Sequence, residues 1–282
     1  MPVAVVTDST AYLPEGAAAA LGVRVIPLHV NLGGASYLDG VDLGPAELAS
    51  AMAAHVPVST SRASPAEIVA VYRQALDDGA DSVLGVHLSR QLSATWEAAR
   101  LAAEELGGPR VVRIVDSRSA AMGLGFAVLA AARAARAGEP LAAVSECAVT
   151  TADRTRTFFS VPTLEYLRRG GRIGMAAALL GTALAVKPVL HVADGQIVPL
   201  EKVRTSSRAL ARLVELAAQT AGDAPTSVAV HHLAAPERAA ELADRLRQRL
   251  PGLVDCVTCE LGAVLGAHTG PGVFGVVVSP SQ

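Results

Sequence analysis

Hydroxyl side chains gather in this chain at the ends of short apolar runs, where ligands are commonly met. "VSTSRASP" places Thr60, Ser61 and Ser64 just ahead of a helix that Pro65 begins, and "LSRQLSATWEAA" places Ser89 at a strand end and Ser93 at a helix-cap position. "VTDST" and "VDSRSAAMG" repeat the arrangement with Asp8, Ser9, Asp116 and Ser117. A hydroxyl before a helix is a natural cap, because its oxygen accepts an unpaired backbone N–H. The same hydroxyls and N–H groups suit an anion, and in α/β sheets ligands collect beyond the carboxyl ends of the strands. Both readings stand at this point. His268 joins the set from "GAHTGPGVFG", residues 266–275, two residues ahead of Gly270, Gly272 and Gly275.

Those three glycines spell G-x-G-x-x-G, but a dinucleotide fingerprint must open a helix and be followed by an acid about 20 residues on. Only "VVVSPSQ" follows Gly275, so the glycines read instead as a tight turn needing positive φ. Cys256 and Cys259 lie three apart in a strand and point to opposite faces, as do His231 and His232. No metal site is expected from either pair. A serine hydrolase built from Ser93, His268 and Asp8 or Asp116 is conceivable, although the chain lacks the G-x-S-x-G nucleophile elbow. Arg168, Arg169 and Arg172 flank a Gly-Gly turn, and Lys202, Arg204, Arg208 and Arg212 run from a strand into a helix. Each group reads either as a solvated face or as a dock for an anion or an acidic partner.

The elements that must position these residues fall into two patterns. Up to about Thr151, β-like runs such as "VAVVTDST", "VRVIPLHV", "SVLGVHLS" and "RVVRIVDS" alternate with helical stretches such as Pro45–Ala54 and Pro65–Asp77. That alternation predicts a mainly parallel sheet covered on both faces. Beyond it, "RTFFSV", "VKPVLHV" and "QIVPLEKV" read as strands, the last two joined by the hairpin signal "ADG". Helices over Ser206–Ala221 and Pro236–Leu250 and further strands complete an α+β pattern. The expected fold class is therefore α/β in two domains: 1–152, with a mainly parallel sheet, and 153–282, α+β.

Composition narrows the function. The 282 residues are 51% hydrophobic but only 3% aromatic, so Ala, Val and Leu do the packing. The net charge of −2 gives no field for nucleic acid or anionic lipid. Three cysteines argue for a reducing compartment rather than a disulfide framework. The N-terminus has no basic region before its apolar run, and the longest uncharged apolar run, 174–186, is too short to cross a bilayer. A cytoplasmic protein without stable membrane insertion is the expectation.

Taken in order, "VTDST", "TSRASP", "LSRQLSATWEAA", "VDSRSAAMGLG", "LEYLRRGGRI", "VKPVLHV", "GQIVPLEKVRT" and "HTGPGVFG" resemble the DegV family, the fatty-acid-binding subunits of the bacterial fatty acid kinase system. The resemblance spans residues 6–275. It implies two domains with a lipid tunnel at their interface and one long-chain fatty acid as ligand, with no cofactor, no metal and no catalytic residue of the chain's own. A separate ATP-using kinase subunit would phosphorylate the bound carboxylate. The acyl phosphate would feed phospholipid synthesis, with an acyltransferase downstream. By position, Thr60, Ser93 and His268 match the family's carboxylate-binding residues. Ser61 and Arg172 fall in the vicinity of the head group, and Arg204 matches an arginine implicated in kinase docking. At ~0.8 kcal/mol per buried methylene, a tail of about sixteen carbons gains roughly 12 kcal/mol before ordering costs. The chain departs from the family pattern at Arg62, Arg90, Gln91 and Ala94, near the expected pocket mouth. The rival readings are an esterase or thioesterase using Ser93 and His268, and a lipid-responsive regulatory protein without a kinase.

Overall fold

The computed structural model describes residues 2–179 and 186–281. The chain forms two compact units, Met1–His29 with Ser61–Arg154, and Val30–Thr60 with Thr155–Gln282. One crossing, at Arg154 and Thr155, lies beside the expected 152/153 division. The other two bound an excursion, Val30–Thr60, whose contacts are with the C-terminal half. The centre of the apolar run 174–186 lies outside the described residues.

The first unit holds a four-stranded sheet in the order Arg24–Ile26, Val3–Asp8, Ser82–His87, Val112–Asp116, with every pair parallel. Ser82–His87 is buried along its whole length, as expected of a central strand covered on both faces. The helices Pro65–Asp77, Thr95–Glu105, Met122–Arg136 and Leu141–Arg154 supply the cover. Pro65–Asp77 begins with a full capping box: Ser64 Oγ accepts from Glu67 N at 3.3 Å, and Glu67 Oε2 accepts from Ser64 N at 2.7 Å.

The second unit holds a six-stranded mixed sheet in the order Gln196–Val203, Lys187–Ala193, Arg156–Ser160, Phe274–Pro280, Thr226–His232, Leu253–Glu260. Its pairings are antiparallel except the last, where Pro236–Arg249 makes the crossover between parallel neighbours. The "ADG" signal is a tight hairpin, with φ of 47° at Asp194 and 80° at Gly195. Positive φ at both central residues is the geometry that matches the strands' twist. Ser206–Ala221 and Pro236–Arg249 lay Leu210, Leu213, Leu242 and Leu246 against Val228 and Val276 to form the core. The excursion supplies a smaller sheet, ordered Ala35–Leu38, His29–Leu32, Val58–Ser61, and the helix Pro45–Ala53.

Three expectations change in detail. "VRVIPLHV" is two strands, Arg24–Ile26 and His29–Leu32, because Pro27 offers no N–H to continue a ladder. The helix expected from Ser93 begins at Thr95, after Ala94. Two helices, Leu141–Arg154 and Ala263–Thr269, stand where no helix was expected.

Candidate functional site

Thr60 lies near the end of the strand Val58–Ser61, and His268 lies in the last turn of the helix Ala263–Thr269. A 2.8 Å hydrogen bond joins Thr60 Oγ1 to His268 Nε2. The helix stops at Gly270, which has φ 77° and donates its N–H to Gly266 O at 2.8 Å. Only glycine meets both demands there, positive φ and the Tyr166 ring pressed where a Cβ would project. Gly272 also has positive φ, at 86°. Gly270 and Gly272 are thus a helix stop and a turn that together place His268, whereas Gly275, expected in the same turn, lies in the strand Phe274–Pro280 and is not among the glycines with positive φ.

The Nδ1 edge of the imidazole lies against Gly170, where a Cβ would overlap His268 Nδ1. Among the described residues, Nδ1 is buried without a hydrogen-bond partner. Arg172 follows the turn and donates from Nη1 to Gly170 O at 2.6 Å. Burial, and then the nearby Arg172 charge, lower the His268 pKa to about 4. The ring is therefore neutral near pH 7. These groups share a cavity of about 450 Å³ with Met52, Pro57 and Tyr166 on its wall. The lining mixes the cations Arg169 and Arg172 and the polar His55, Ser59, Thr60 and His268 with apolar Met52, Val56, Pro57 and Val58, a composition that suits an anionic group carried on an apolar body.

The other hydroxyls and acids have separate employment. Ser93, in the first unit, accepts from Thr95 N at 3.2 Å and pairs with Thr95 Oγ1 at 2.9 Å. It serves the helix start although Ala94 is the cap residue. Asp8 accepts from Thr10 N at 3.2 Å and Leu88 N at 3.0 Å, and takes His87 Nδ1–H at 3.0 Å. Tyr72 OH lies 2.7 Å from the other His87 nitrogen. This buried network, which the sequence reading missed, occupies the acid that a Ser93–His268–Asp8 triad would need. Asp116 accepts from Arg118 N at 2.9 Å. Ser61 and Arg204 are exposed, Arg204 in the bend after Gln196–Val203. Arg212 is held by Glu201 and Glu215, so it is no free cation of the expected basic strip. Among the described residues, no group of three or more His, Cys, Asp or Glu is placed to hold a metal ion. No helix among them is long and apolar enough to cross a membrane.

The profile of the DegV family, described as uncharacterised, matches residues 2–281. The chain belongs to the DegV family. A DegV domain-containing protein of Streptomyces coelicolor is 53% identical over 277 residues, 98% of each chain. The chain is similar to a solved DegV family protein from Thermus thermophilus, described for its fatty acid binding, at 36% identity and TM-score 0.95 over 100% of both chains. It is also similar to DegV of Bacillus subtilis, described as a fatty acid binding protein, at 31% identity and TM-score 0.90 over 100% of both. Of the residues that the DegV resemblance singles out, the second unit brings Thr60, His268 and Arg172 together. Gly170, which lies against His268, and Tyr166, which packs over Gly270, were not singled out. Their only signal was the "LEYLRRGGR" turn itself.

Proposed function

We propose that this DegV protein binds one long-chain fatty acid, with the carboxylate at Thr60 and His268. It then presents the acid to a separate ATP-dependent kinase that forms the acyl phosphate for phospholipid synthesis in the cytoplasm. The observation that carries the first half is the Thr60–His268 hydrogen bond on a cavity wall beside Arg172. With its proton on Nε2, the neutral imidazole donates to Thr60 Oγ1. The hydroxyl proton is then left to donate to an incoming carboxylate oxygen. Arg172 supplies positive charge close by, and hydrogen bonds to an ionised acceptor are the stronger kind. Ser93 enters the proposal on the resemblance alone, as does docking of the kinase at Arg204. The kinase half rests on the family resemblance.

Mass spectrometry of protein purified without delipidation, native and then denatured, tests the first half. The expected result is a stoichiometric mass loss equal to a free fatty acid. Thr60→Ala and His268→Ala should each weaken binding by about ten- to a hundredfold, the cost of losing a bond to a charged group. An apo mass from protein that also refuses added fatty acid would sink the reading. For the second half, ATP-dependent acyl phosphate formation by an added kinase subunit should need the loaded carrier. Arg204→Glu should slow it while leaving fatty acid affinity unchanged.

A further inference from the structure

We propose that Asp39 is a positioning residue for His268, capping from far along the chain the short helix that carries the histidine. The inference rests on the reading of Thr60 and His268 as the carboxylate site. The helix Ala263–Thr269 starts after Gly262, which has no side chain with which to cap it. Its first N–H groups are nevertheless deep: Ala263 is 0% and Val264 5% exposed. Buried amides need acceptors, and at a helix start the helix itself provides none. Asp39, itself 2% exposed, supplies one: Oδ1 accepts from Ala263 N at 2.7 Å and from Val264 N at 3.4 Å.

A second anchor comes from the same excursion. Leu48, fully buried on the helix Pro45–Ala53, packs where a Cβ on Gly266 would project. The excursion then ends on Thr60, which holds His268 itself. One segment thus grips the helix at its start, its middle and its functional end. A two-turn helix is not self-supporting, so the place of His268 is set by these grips. Asp39 is not among the residues that line the cavity, and its hydrogen bonds to Ala263 N and Val264 N act on His268 through the helix.

The test measures palmitate affinity together with the NMR titration of the His268 ring, assigned with a His268→Ala control. The charged groups near the ring or carried on the two helices packed against this one are Arg172, Glu47 on the helix Pro45–Ala53, and Glu165, Arg168 and Arg169 on the helix Glu165–Arg169. All of these are unchanged in the variants. In Asp39→Ala, palmitate binding should weaken about tenfold, the scale of a lost cap. The His268 midpoint should move from about 4 toward its ordinary value as the ring leaves its buried place. Asp39→Asn keeps an acceptor oxygen for both amides and should stay within about twofold of the parent. If Asp39→Ala does not fold, Asp39→Ser, which keeps a polar atom but draws it back from the amides, should show the same two changes.

Folded Asp39→Ala or Asp39→Ser protein with affinity and midpoint both unchanged would overturn the proposal, even if its melting temperature fell. So would a tenfold loss in Asp39→Asn. If His268→Ala bound palmitate like the parent, the carboxylate-site reading would fail instead. The shift of the ring midpoint would then still decide the role of Asp39.

Discussion

At Gly170 two local rules oppose each other. Its backbone is right-handed, with φ −73° and ψ −8°, a conformation in which alanine is normally preferred by up to about 1 kcal/mol. Yet a methyl there would overlap Nδ1 of His268, and forcing extra volume into a packed contact costs roughly 1–3 kcal/mol. The packing term is the larger. Gly170→Ala is therefore expected to lower stability in urea unfolding despite its better propensity. By displacing the ring, it should also weaken palmitate binding about tenfold in calorimetry. A variant more stable than the parent, with full affinity, would show that the ring does not rest there. Thr60 and His268 were singled out because they stand in the motifs "TSRASP" and "HTGPGVFG" that carry the family resemblance. Gly170 was not, because its reason is the volume of a side chain remote in sequence. Asp8 shows the same limit: its strand-exit position was legible, but its buried partners His87 and Tyr72 follow from strand order.

The elements that sequence placed well carry their own start signals. Pro65–Asp77 has Ser64, Pro65 and Glu67 in capping order, and Ser206–Ala221 has Thr205, whose side chain accepts from Arg208 N at 3.2 Å. The hydrogen bonds from Ser64 also hold the Glu67 carboxyl below its ordinary pKa. Ser64→Ala should accordingly cost about 1 kcal/mol in chemical denaturation, and the Glu67 titration should move up toward its ordinary value. Unchanged stability and titration would mean that the box forms no part of the folded state in solution. Ala263–Thr269 was hidden because Gly262, Gly266 and Gly270 lie within and around it, and glycine in a helix normally argues against one. Here Gly266 admits Leu48 and Gly270 ends the helix beneath Tyr166, so tertiary packing overrides propensity. Leu141–Arg154 follows Met122–Arg136 across a short link, and its apolar face is alanine-rich enough to blur the period.

Across the molecule, the change from β-α alternation to antiparallel strands was legible, whereas the excursion Val30–Thr60 was not. Its β-α pattern continues the alternation on either side of it. Only the partners of Asp39, Leu48 and Thr60 show where it belongs, and those partners lie beyond residue 230. The same second unit gives the protein an acid-sensitive term. Burial lowers the His231 pKa to about 4, with the neighbouring His232 adding to the effect and the bond to Cys259 O opposing it. His268 is lowered to about 4 by burial and Arg172. The ordinary value for both is 6.5. Between that value and 4 the unfolded chain binds a proton at each ring that the folded protein refuses, so stability rises with pH across this window. The contribution is complete above about pH 6.5 and is lost as the pH falls toward 4. Carboxylates with lowered pKa, such as Glu67, act below this window, where acid removes their own share. Moving from pH 7.5 to 5 should therefore cost roughly 2 kcal/mol at His231 alone, with His268 acting in the same direction. Urea unfolding followed by circular dichroism at the two pH values measures the sum. His231→Gln, which keeps a donor for Cys259 O but cannot titrate, should flatten the dependence in part, leaving the share of His268 and of His191 and His232, whose pKa values burial also lowers. A parent protein equally stable at both values would mean that the folded state holds neither ring neutral, and the account of His268 as an uncharged donor relay to Thr60 would fall with it.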